Sequence, residues 1–266
     1  MYSDLNMPVL FIGHGSPMNA LADNEYTNTL RRLGKKIPHP QAILCISAHW
    51  MTRGTCITHL ERPKTIHDFS GFPQELFKVQ YPAPGNTELA ESIQKIITTP
   101  KIELDQDWGL DHGCWSVLRH MYPKADIPVL QLSLNMEASP EYHFNLGHEL
   151  QKLRDKGILI VSSGNIVHNL RRISWDENAE PPSWAVDFDK WVKDKILARD
   201  FKALQNDFLS TEAGGLSVPT TEHYLPLLYT IGASQPSDSI NFEYEGMQNA
   251  SISMRCISFG MPEVMV

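Results

Sequence analysis

The 266-residue sequence predicts a single α/β domain with a central, mostly parallel sheet flanked by helices. Short apolar runs bounded by turn-forming residues recur along the chain, as is typical of strands buried on both faces of a sheet. Segments with helical periodicity alternate with these runs, and the order strand, helix, strand implies a right-handed parallel crossover. No linker, charge block or internal repeat divides the chain. We therefore expect residues 1–266 to form one domain with its active site at the carboxyl ends of the strands.

The first part of the chain predicts three strands and a helix. The first strand is the apolar run that stops at His14, which lies between two glycines. A helix from Asn24 to Leu33 follows, with Gly34 as its C-cap. Ala42 to Ser47 is the second strand and Thr55 to Leu60 the third. The helix between the first two strands predicts that they are parallel.

The middle of the chain begins with a long loop, Thr65 to Gly85, that is rich in proline, glycine and aromatic residues. Loops of this length in compact domains are usually functional or disordered, and the aromatic content argues against disorder. Asn86 to Thr98 has apolar residues at helical spacing. Another helix is expected to begin near His112 and to run through Met121. Ile127 to Leu134 is the fourth strand.

The last part of the chain predicts a further crossover and a mainly helical region before two terminal strands. Ser139 to Lys156 reads as a helix ended by Gly157, and it leads into a fifth strand. A break is expected at Gly214-Gly215, and a later helix is expected to begin with Thr220 as its N-cap. The remaining predicted elements are the strand Ile158 to Val161, the helix Pro182 to Arg199, and the alternating strands Ile240 to Tyr244 and Ser251 to Phe259.

The composition argues against several classes of partner. A net charge of -8, from 23 Lys and Arg against 31 Asp and Glu, does not suit a surface that neutralises nucleic-acid phosphates. The four cysteines form no CxxC pair, which argues against a zinc ribbon or a thioredoxin-like redox site. No apolar run reaches the length of a membrane span, and no signal-peptide pattern is present. We expect a cytoplasmic protein that binds neither nucleic acid nor membranes.

Four histidines follow or open predicted elements where side chains project into a cleft: His14, His49, His168 and His223. Three of them come after strands, and the carboxyl ends of parallel strands meet at one edge of a sheet. Each histidine alone is better explained as an ordinary polar residue, and their spacing is not a local motif such as HExxH. Together they offer the imidazole ligands of a catalytic divalent metal with an open position for water or substrate.

Residues beside these histidines suggest how a ligand is held. Gly13 and Gly15 lack a Cβ, so we expect a substrate or metal to approach the backbone closely there. Asp111 is expected to orient the adjacent His112. Aromatic residues in the loop and near the strand ends either wall a pocket or form ordinary packing: Trp50, Phe69, Phe72, Trp108 and Trp115. We expect substrate contacts from Ser16, Trp50 and His67.

Seven segments carry a resemblance to a known family: GHGSPMN, SAHW, TIHDFSGFP, YPAPG, DHGCW, SGNIVHNL and TEHYLPLLY. In this order, and across nearly the whole chain, they closely resemble the bacterial 4,5-DOPA extradiol dioxygenase family. That family belongs to the class III ring-cleaving dioxygenases related to protocatechuate 4,5-dioxygenase catalytic subunits. The resemblance implies one catalytic domain over residues 1–266. It also implies cleavage of catechols such as DOPA by O2 at a mononuclear non-haem metal, giving a ring-opened semialdehyde.

The resemblance also implies roles for individual residues. His14 and His49 match the two metal-binding histidines of the class. His168 matches the histidine that acts as acid and base in relatives, and in this subfamily it is also described as part of the metal cluster. His223 matches the region where protocatechuate-type relatives use a glutamate ligand, and His112 resembles a histidine that contacts substrate or oxygen. We therefore expect His168 and His112 to be catalytic.

One departure from the usual iron site bears on the metal. Non-haem iron oxygenases typically use two histidines and one carboxylate. Here Glu222 and His223 are adjacent, and adjacent positions on a helix do not face the same way. The family pattern places a metal ligand at His223, so the resemblance implies that His14, His49, His168 and His223 form the metal set. One divalent metal per chain is expected, with Fe(II) required for activity and Zn(II) as an alternative bound ion.

Two other functions stay open on the sequence alone. The same histidine cluster would let a zinc hydrolase activate water, and retained activity with zinc in the absence of oxygen would favour it. A non-catalytic binder of small aromatic molecules is the third candidate, and a lack of bound metal would favour that one. The expected partners are a small aromatic catechol and O2, and the chain is expected to be a monomer or a small homo-oligomer.

Overall fold

The computed structural model describes residues 6–176 and 179–262. The strands in these ranges are β1 (Val9–Gly13), β2 (Ala42–Thr52), β3 (Thr55–Thr58), β4 (Ile102–Asp105), β5 (Val129–Asn135), β6 (Ile158–Gly164), β7 (Ile240–Tyr244), β8 (Met247–Gln248), β9 (Ile252–Ser253) and β10 (Cys256–Phe259). The α-helices are α1 (Glu25–Lys36), α2 (Gln74–Phe77), α3 (Thr87–Ile96), α4 (His112–Met121), α5 (Pro140–Leu150), α6 (Ser183–Leu197), α7 (Phe201–Asn206), α8 (Glu212–Ser217) and α9 (Leu225–Ala233). Short 3-10 helices cover Pro17–Ala20, Gln151–Lys156 and Leu170–Arg172.

Eight of these strands form one sheet in the order β4-β3-β5-β2-β6-β1-β10-β7. The four central strands β5, β2, β6 and β1 are parallel to their neighbours in this group. At one edge β10 and β7 are antiparallel additions, and at the other β3 is antiparallel to β5 and parallel to β4. Strands β8 and β9 form a separate antiparallel pair. The predicted α/β domain with a central, mostly parallel sheet flanked by helices is confirmed.

Side chains that alternate along the strands bury both faces of the sheet. Val9 and Phe11 of β1 belong to one apolar cluster, to which α3, α5, α6 and α9 contribute. Leu10 and Ile12 belong to the opposite cluster, which includes residues of α1 and α4. Burying an aliphatic side chain of this kind contributes about 1.5–3 kcal/mol, so both layers of helices stabilise the central strands. Within the described ranges no helix is both long enough and apolar enough to cross a membrane.

Helix α1 differs from its predicted end. It continues through Gly34 and ends at Lys36, so Gly34 is not a C-cap. A Cβ on Gly34 would lie 2.0 Å from the carbonyl oxygen of Met121, the last residue of α4. The glycine therefore permits a close approach of α1 and α4. The need for glycine at this position comes from the partner helix and not from the local sequence.

Three other elements also differ from the prediction. Strand β4 was not expected, because its four residues have no apolar periodicity, and it forms as an edge strand beside β3. Gly214 and Gly215 were expected to form a break but lie inside α8. Thr220 is not the N-cap of the next helix, because α9 begins at Leu225 with Tyr224 as its N-cap.

The topology places the predicted histidines near the carboxyl ends of the central strands. β1 is followed directly by His14, and the chain after β6 leads to His168. His49 lies inside β2, in a stretch where the register between β2 and β5 shifts. Such an irregularity re-aims side chains near sites. His112 is the first residue of α4, which packs beside these strand ends.

Candidate metal centre

Five imidazole rings line one cavity of about 390 Å³: His14, His49, His112, His168 and His223. The ring of His14 is central, with centroid distances of 5.0 Å to His49, 5.6 Å to His112 and 5.4 Å to His223. A cavity of this volume lies within the range of about 300–1,000 Å³ that small-molecule sites occupy. The fold therefore gathers at one place five of the six histidines that the sequence singles out, all except His67.

The protonation of His14 follows from its neighbours. Its Nδ1 lies 3.0 Å from the Oγ of Ser163. The Ser163 hydroxyl donates its one proton to the carbonyl oxygen of Gly113, at 2.6 Å, so it accepts from the Nδ1–H of His14. The Nε2 of His14 is then unprotonated, and it faces the Nε2 of His49 at 3.1 Å.

Asp68, from the long aromatic loop, holds two further rings. Its Oδ2 accepts a hydrogen bond from the Nδ1 of His112 at 2.8 Å, and its Oδ1 accepts from the backbone N–H of His112 at 2.9 Å. The same Oδ2 lies 3.5 Å from the Nδ1 of His49. A carboxylate at Nδ1 favours the tautomer with a free Nε2. Burial raises the pKa of Asp68. The hydrogen bonds with His112 and the charge interactions with His112 and His49 lower this pKa by more than burial raises it, so the net shift is downward.

Burial favours the uncharged form of His14, His49, His168 and His223. It lowers the pKa of His14 and of His223 well below the usual value for histidine, and the neighbouring imidazoles lower both further. Burial likewise lowers the pKa of His49 to about 3 and that of His168 to about 4. Neutral imidazole is the form of histidine that binds metal ions.

The donor set fits a divalent metal. His14, His49 and His112 offer one nitrogen each, and the three atoms lie within 4.8 Å of one another. The Nε2 of His14 carries no proton, and it lies 3.1 Å from the Nε2 of His49. Converging neutral imidazoles are ligands that zinc, iron and related metals accept.

His223 lines the cavity from an irregular turn before α9. Its Nδ1 lies 3.1 Å from the Oε1 of Glu222, which also accepts from the hydroxyl of Thr220 at 2.8 Å. The close approach of this turn to β6 depends on Gly164, where a Cβ would lie 2.2 Å from the carbonyl oxygen of His223. Glu222 lines a neighbouring groove and acts on the cavity through the His223 ring.

The ring of His168 stacks on the ring of His223, with centroids 3.5 Å apart and planes inclined by 10°. The backbone N–H of His168 donates to the carbonyl oxygen of Ser217 at 2.9 Å, and a β-bridge joins His168 to Ile252. The nitrogen lone pairs of imidazole lie in the ring plane. One ion cannot lie in two separate parallel planes, so this arrangement lets only one of the two rings bind a shared ion in its plane.

The glycines that flank His14 serve a purpose other than the predicted one. A Cβ on Gly13 would lie 2.7 Å from the carbonyl oxygen of Ser253. Gly15 has a φ of +62°, and a Cβ there would lie 2.3 Å from the Sδ of Met254. Both glycines make room for the chain around β9 and not for a ligand.

Asp111 also has a role other than the predicted one. It is the N-cap of α4, and its carboxylate accepts hydrogen bonds from the hydroxyl of Ser47 and the amide of Gln131, both at 2.7 Å. It therefore fixes the start of the helix. The structure gives the orienting contact with the ring of His112 to Asp68 instead. Asp68 lies next to His67 in one of the recognised motifs, so its position in the sequence was a usable signal.

The predicted substrate contacts fall in different places. Ser16 lines the cavity. Trp50 is buried and stacks on Trp108 at a centroid distance of 5.6 Å. The Nε2 of His67 lies 3.0 Å from the carbonyl oxygen of Val79. Among the residues that the structure describes, neither Trp50 nor His67 belongs to the cavity wall.

The remaining wall comes mainly from three loops. Its apolar residues are Pro17, Met18, Phe69, Phe72, Leu170, Ile173, Trp175 and Ile252. The sequence suggests Phe69 and Phe72 as pocket residues but not the others. No local pattern indicates that the segments around 170–175 and 249–252 fold over the strand ends, because that arrangement is set by tertiary contacts.

Comparison with known proteins identifies related chains. Residues 8–254 match the family described as "Catalytic LigB subunit of aromatic ring-opening dioxygenase". The chain is 47% identical over 262 residues to an Escherichia coli K12 protein named "4,5-DOPA dioxygenase extradiol", covering 97% of this chain and 96% of that one. A Beta vulgaris protein of the same name is 36% identical over 236 residues, with 84% and 85% coverage.

A solved structure is similar over almost the whole fold. The crystal structure of an uncharacterized protein from Escherichia coli K12 matches with a TM-score of 0.83 and 42% sequence identity. The match covers 96% of this chain and 100% of that chain. The central sheet and its flanking helices are therefore an architecture that has been observed experimentally in a similar sequence.

Proposed function

The chain belongs to the family of catalytic LigB subunits of aromatic ring-opening dioxygenases, and from this premise we propose that it is an extradiol dioxygenase. It binds a catechol and uses O2 at a mononuclear metal to open the ring beside the diol, giving a semialdehyde. DOPA, the compound named in its relatives, is the first catechol to assay.

One observation carries the proposal. The Nε2 atoms of His14 and His49 converge to 3.1 Å in a cavity walled by apolar and aromatic side chains. Such a place suits a metal ion with a flat aromatic molecule above it. Small-molecule sites typically combine a mostly apolar wall with a few converging polar groups in this way.

We assign the metal to His14, His49 and His223. The ring of His223 lies 5.4 Å from that of His14 and 4.9 Å from that of His49, measured between centroids. His168 stacks on the outer side of this group, and its ring plane is separate from that of His223. Fe(II), when bound, supplies the redox route between a catechol and O2, whereas Zn(II) fits the same nitrogen ligands without that chemistry.

The remaining imidazoles are suited to proton handling. We assign to His168 the transfer of a catechol proton, because a neutral imidazole accepts a proton at its free ring nitrogen. His112 lines the cavity and donates a hydrogen bond from its Nδ1–H to Asp68, which leaves its Nε2 free to accept a hydrogen bond from a substrate hydroxyl. Asp68 fixes this orientation.

The test is an aerobic assay of the apo-protein reconstituted in turn with Fe(II), Mn(II) and Zn(II) against a panel of catechols. We expect O2 uptake and a yellow semialdehyde with Fe(II). Lack of ring cleavage across the whole panel would sink the proposal. Hydrolysis with Zn(II) under anaerobic conditions would support a hydrolase instead, and protein purified without chelators that holds no metal would support a non-catalytic binder.

A further inference from the structure

The cavity wall above the histidines is apolar. Ser16 and Asn249 are the polar residues other than histidine that line it, and within the described ranges no Asp, Glu, Lys or Arg does so. The apolar side chains that line the cavity include Met18, Phe69, Phe72, Leu170, Ile173 and Trp175. A substituent on a bound aromatic ring therefore meets hydrocarbon and aromatic surface.

The rim of this cavity exposes large apolar side chains to solvent. Trp175 is 91% exposed and Leu170 is 59% exposed. Large apolar side chains left in water beside a cavity mark a surface that a ligand or partner covers. Because both residues also line the cavity, the surface continues from the histidine cluster outward to the mouth.

The nearest cation to consider is Arg171, which follows Leu170. It lines a separate groove together with His168 and Glu222, and the Glu222 carboxylate stands in that same groove. A carboxylate-bearing substituent that reached Arg171 would also approach the negative charge of Glu222. The groove is therefore poorly suited to an anionic tail.

We propose that the catechol this cavity takes carries an uncharged, apolar ring substituent that extends to Leu170 and Trp175, and that the zwitterion DOPA is a poor fit. This inference rests on the proposed function, since it assumes that a catechol binds at the histidine cluster. An ammonium or carboxylate group on the substituent would lose water without gaining a charged partner, and an unpaired charge in an apolar site is costly. An alkyl or aryl substituent would instead cover the exposed rim.

The experiment uses compounds matched in size and different in charge. 3-(3,4-Dihydroxyphenyl)propionate and its methyl ester differ mainly in the carboxylate charge, and dopamine and 4-propylcatechol extend the comparison to a cation and an alkyl chain. With the Fe(II)-loaded enzyme we expect kcat/KM for the ester and for 4-propylcatechol to exceed that for the acid, dopamine and L-DOPA by at least about tenfold. Calorimetric titration of the Zn(II)-loaded protein without oxygen measures binding alone and should give the same order.

Variants of the rim make the test specific. Leu170→Arg adds a cation at an exposed position that lines the cavity, and we expect it to raise the acid-to-ester ratio of kcat/KM about tenfold. Leu209→Arg is the matched control, because Leu209 is 48% exposed and is not among the residues of the cavity wall. Arg171→Ala should leave the ratio unchanged.

The outcomes separate this inference from the proposed function. If the acids and L-DOPA are cleaved as efficiently as the ester, the enzyme is a catechol dioxygenase but the inference is overturned. A selective loss of acid turnover in Arg171→Ala overturns it as well. If the ester binds more tightly than the acid but no catechol is cleaved with any metal, the proposed reaction fails while the apolar preference of the cavity is supported.

Discussion

At the scale of single residues, Asp68 connects two imidazoles of the candidate metal centre. Its carboxylate accepts two hydrogen bonds from His112 and lies 3.5 Å from the Nδ1 of His49. It therefore orients the His112 ring through Nδ1 and lies close to the Nδ1 of His49. Carboxylate partners of this kind orient ligands and increase their basicity.

Asp68→Asn should weaken the site without unfolding the protein. An amide is nearly the same size but holds no charge and offers a proton where an acceptor is needed. We expect metal affinity or kcat/KM to fall about 10- to 100-fold, as is typical when such partners are replaced. Metal titration and steady-state kinetics measure this, and Asp107→Asn is the control because Asp107 is exposed. If the two variants have the same metal affinity and the same kcat/KM, Asp68 does not position the imidazoles.

His14 and His168 should respond differently to replacement by alanine. His14→Ala removes a lone pair that faces His49 at 3.1 Å, so we expect the purified variant to lose its metal. His168→Ala removes the outer ring of the stack with His223, so we expect it to retain metal and to lose most of its turnover. Proton transfer by a positioned group contributes typically about 10²–10⁴-fold in rate.

Metal analysis of the two purified variants, together with single-turnover kinetics, decides between these roles. A His168→Ala protein that contains no metal would show that His168 is a ligand. Circular dichroism should match the parent protein for both variants, since alanine removes side-chain atoms that face a cavity. A His14→Ala protein that keeps a full complement of metal would contradict the assignment of His14.

At this scale, sequence motifs and the ends of predicted strands identify the histidines of the site well. Five of the six histidines that the sequence singles out line the cavity, because each lies at or near the end of an element whose direction the pattern fixes, whereas His67 contacts the carbonyl oxygen of Val79. The predicted partner of His112, Asp111, was wrong. Asp111 is adjacent in sequence, but as the N-cap its carboxylate faces the helix start, and Asp68 reaches the ring from a loop 44 residues away.

At the scale of elements, two glycines inside helices have opposite surroundings. A Cβ on Gly34 in α1 would lie 2.0 Å from the carbonyl oxygen of Met121 in α4. At Gly215 in α8, a Cβ would meet nothing within 4 Å. Substitution at Gly215 therefore tests the helix preference of glycine alone, whereas substitution at Gly34 also tests its role in packing.

Gly34→Ala should destabilise the protein and Gly215→Ala should not. Forcing a methyl group against backbone in a packed helix contact typically costs about 1–3 kcal/mol. In open space, alanine in a helix gains about 0.5–1 kcal/mol over glycine. Urea unfolding of the two variants measures the free energy of unfolding. If Gly34→Ala is as stable as Gly215→Ala, the close crossing of α1 and α4 is not what requires glycine.

Elements with strong local patterns were predictable and weakly patterned ones were not. The apolar runs of β1, β2, β5 and β6 are buried on both faces, so their sequence carries the signal. β4 is a four-residue edge strand with a partly exposed burial pattern, and it depends on pairing with β3. The two glycines in α8 were misleading because the helix forms despite their low helix propensity, with Gly214 packed against Phe208 and Gly215 exposed.

At the scale of the whole molecule, a buried ion pair ties distant parts of the chain together. Arg154 has a side chain with no exposed surface and lies 2.7 Å from a carboxylate oxygen of Asp238. Its guanidinium also donates to the carbonyl oxygens of Met7 at 2.7 Å and Ala233 at 2.9 Å. These contacts join the 3-10 helix before β6, the start of β1, the end of α9 and the loop before β7. Sequence patterns predicted the strands but not this junction, since no local periodicity pairs residues 84 positions apart.

Asp238→Asn should therefore destabilise the protein far more than the loss of an exposed ion pair does. It leaves the buried guanidinium of Arg154 without its counter-ion, and breaking a buried pair by removing one partner typically costs about 3–5 kcal/mol. The matched control is Glu137→Gln, because Glu137 and Arg53 form a pair at 3.3 Å with side-chain exposures of 62% and 83%. Pairs exposed to this degree contribute about 0–1 kcal/mol.

Urea unfolding monitored by both near- and far-ultraviolet circular dichroism measures the two changes. Similar small losses in both variants would show that the antiparallel strands are held by their apolar packing and not by this ion pair.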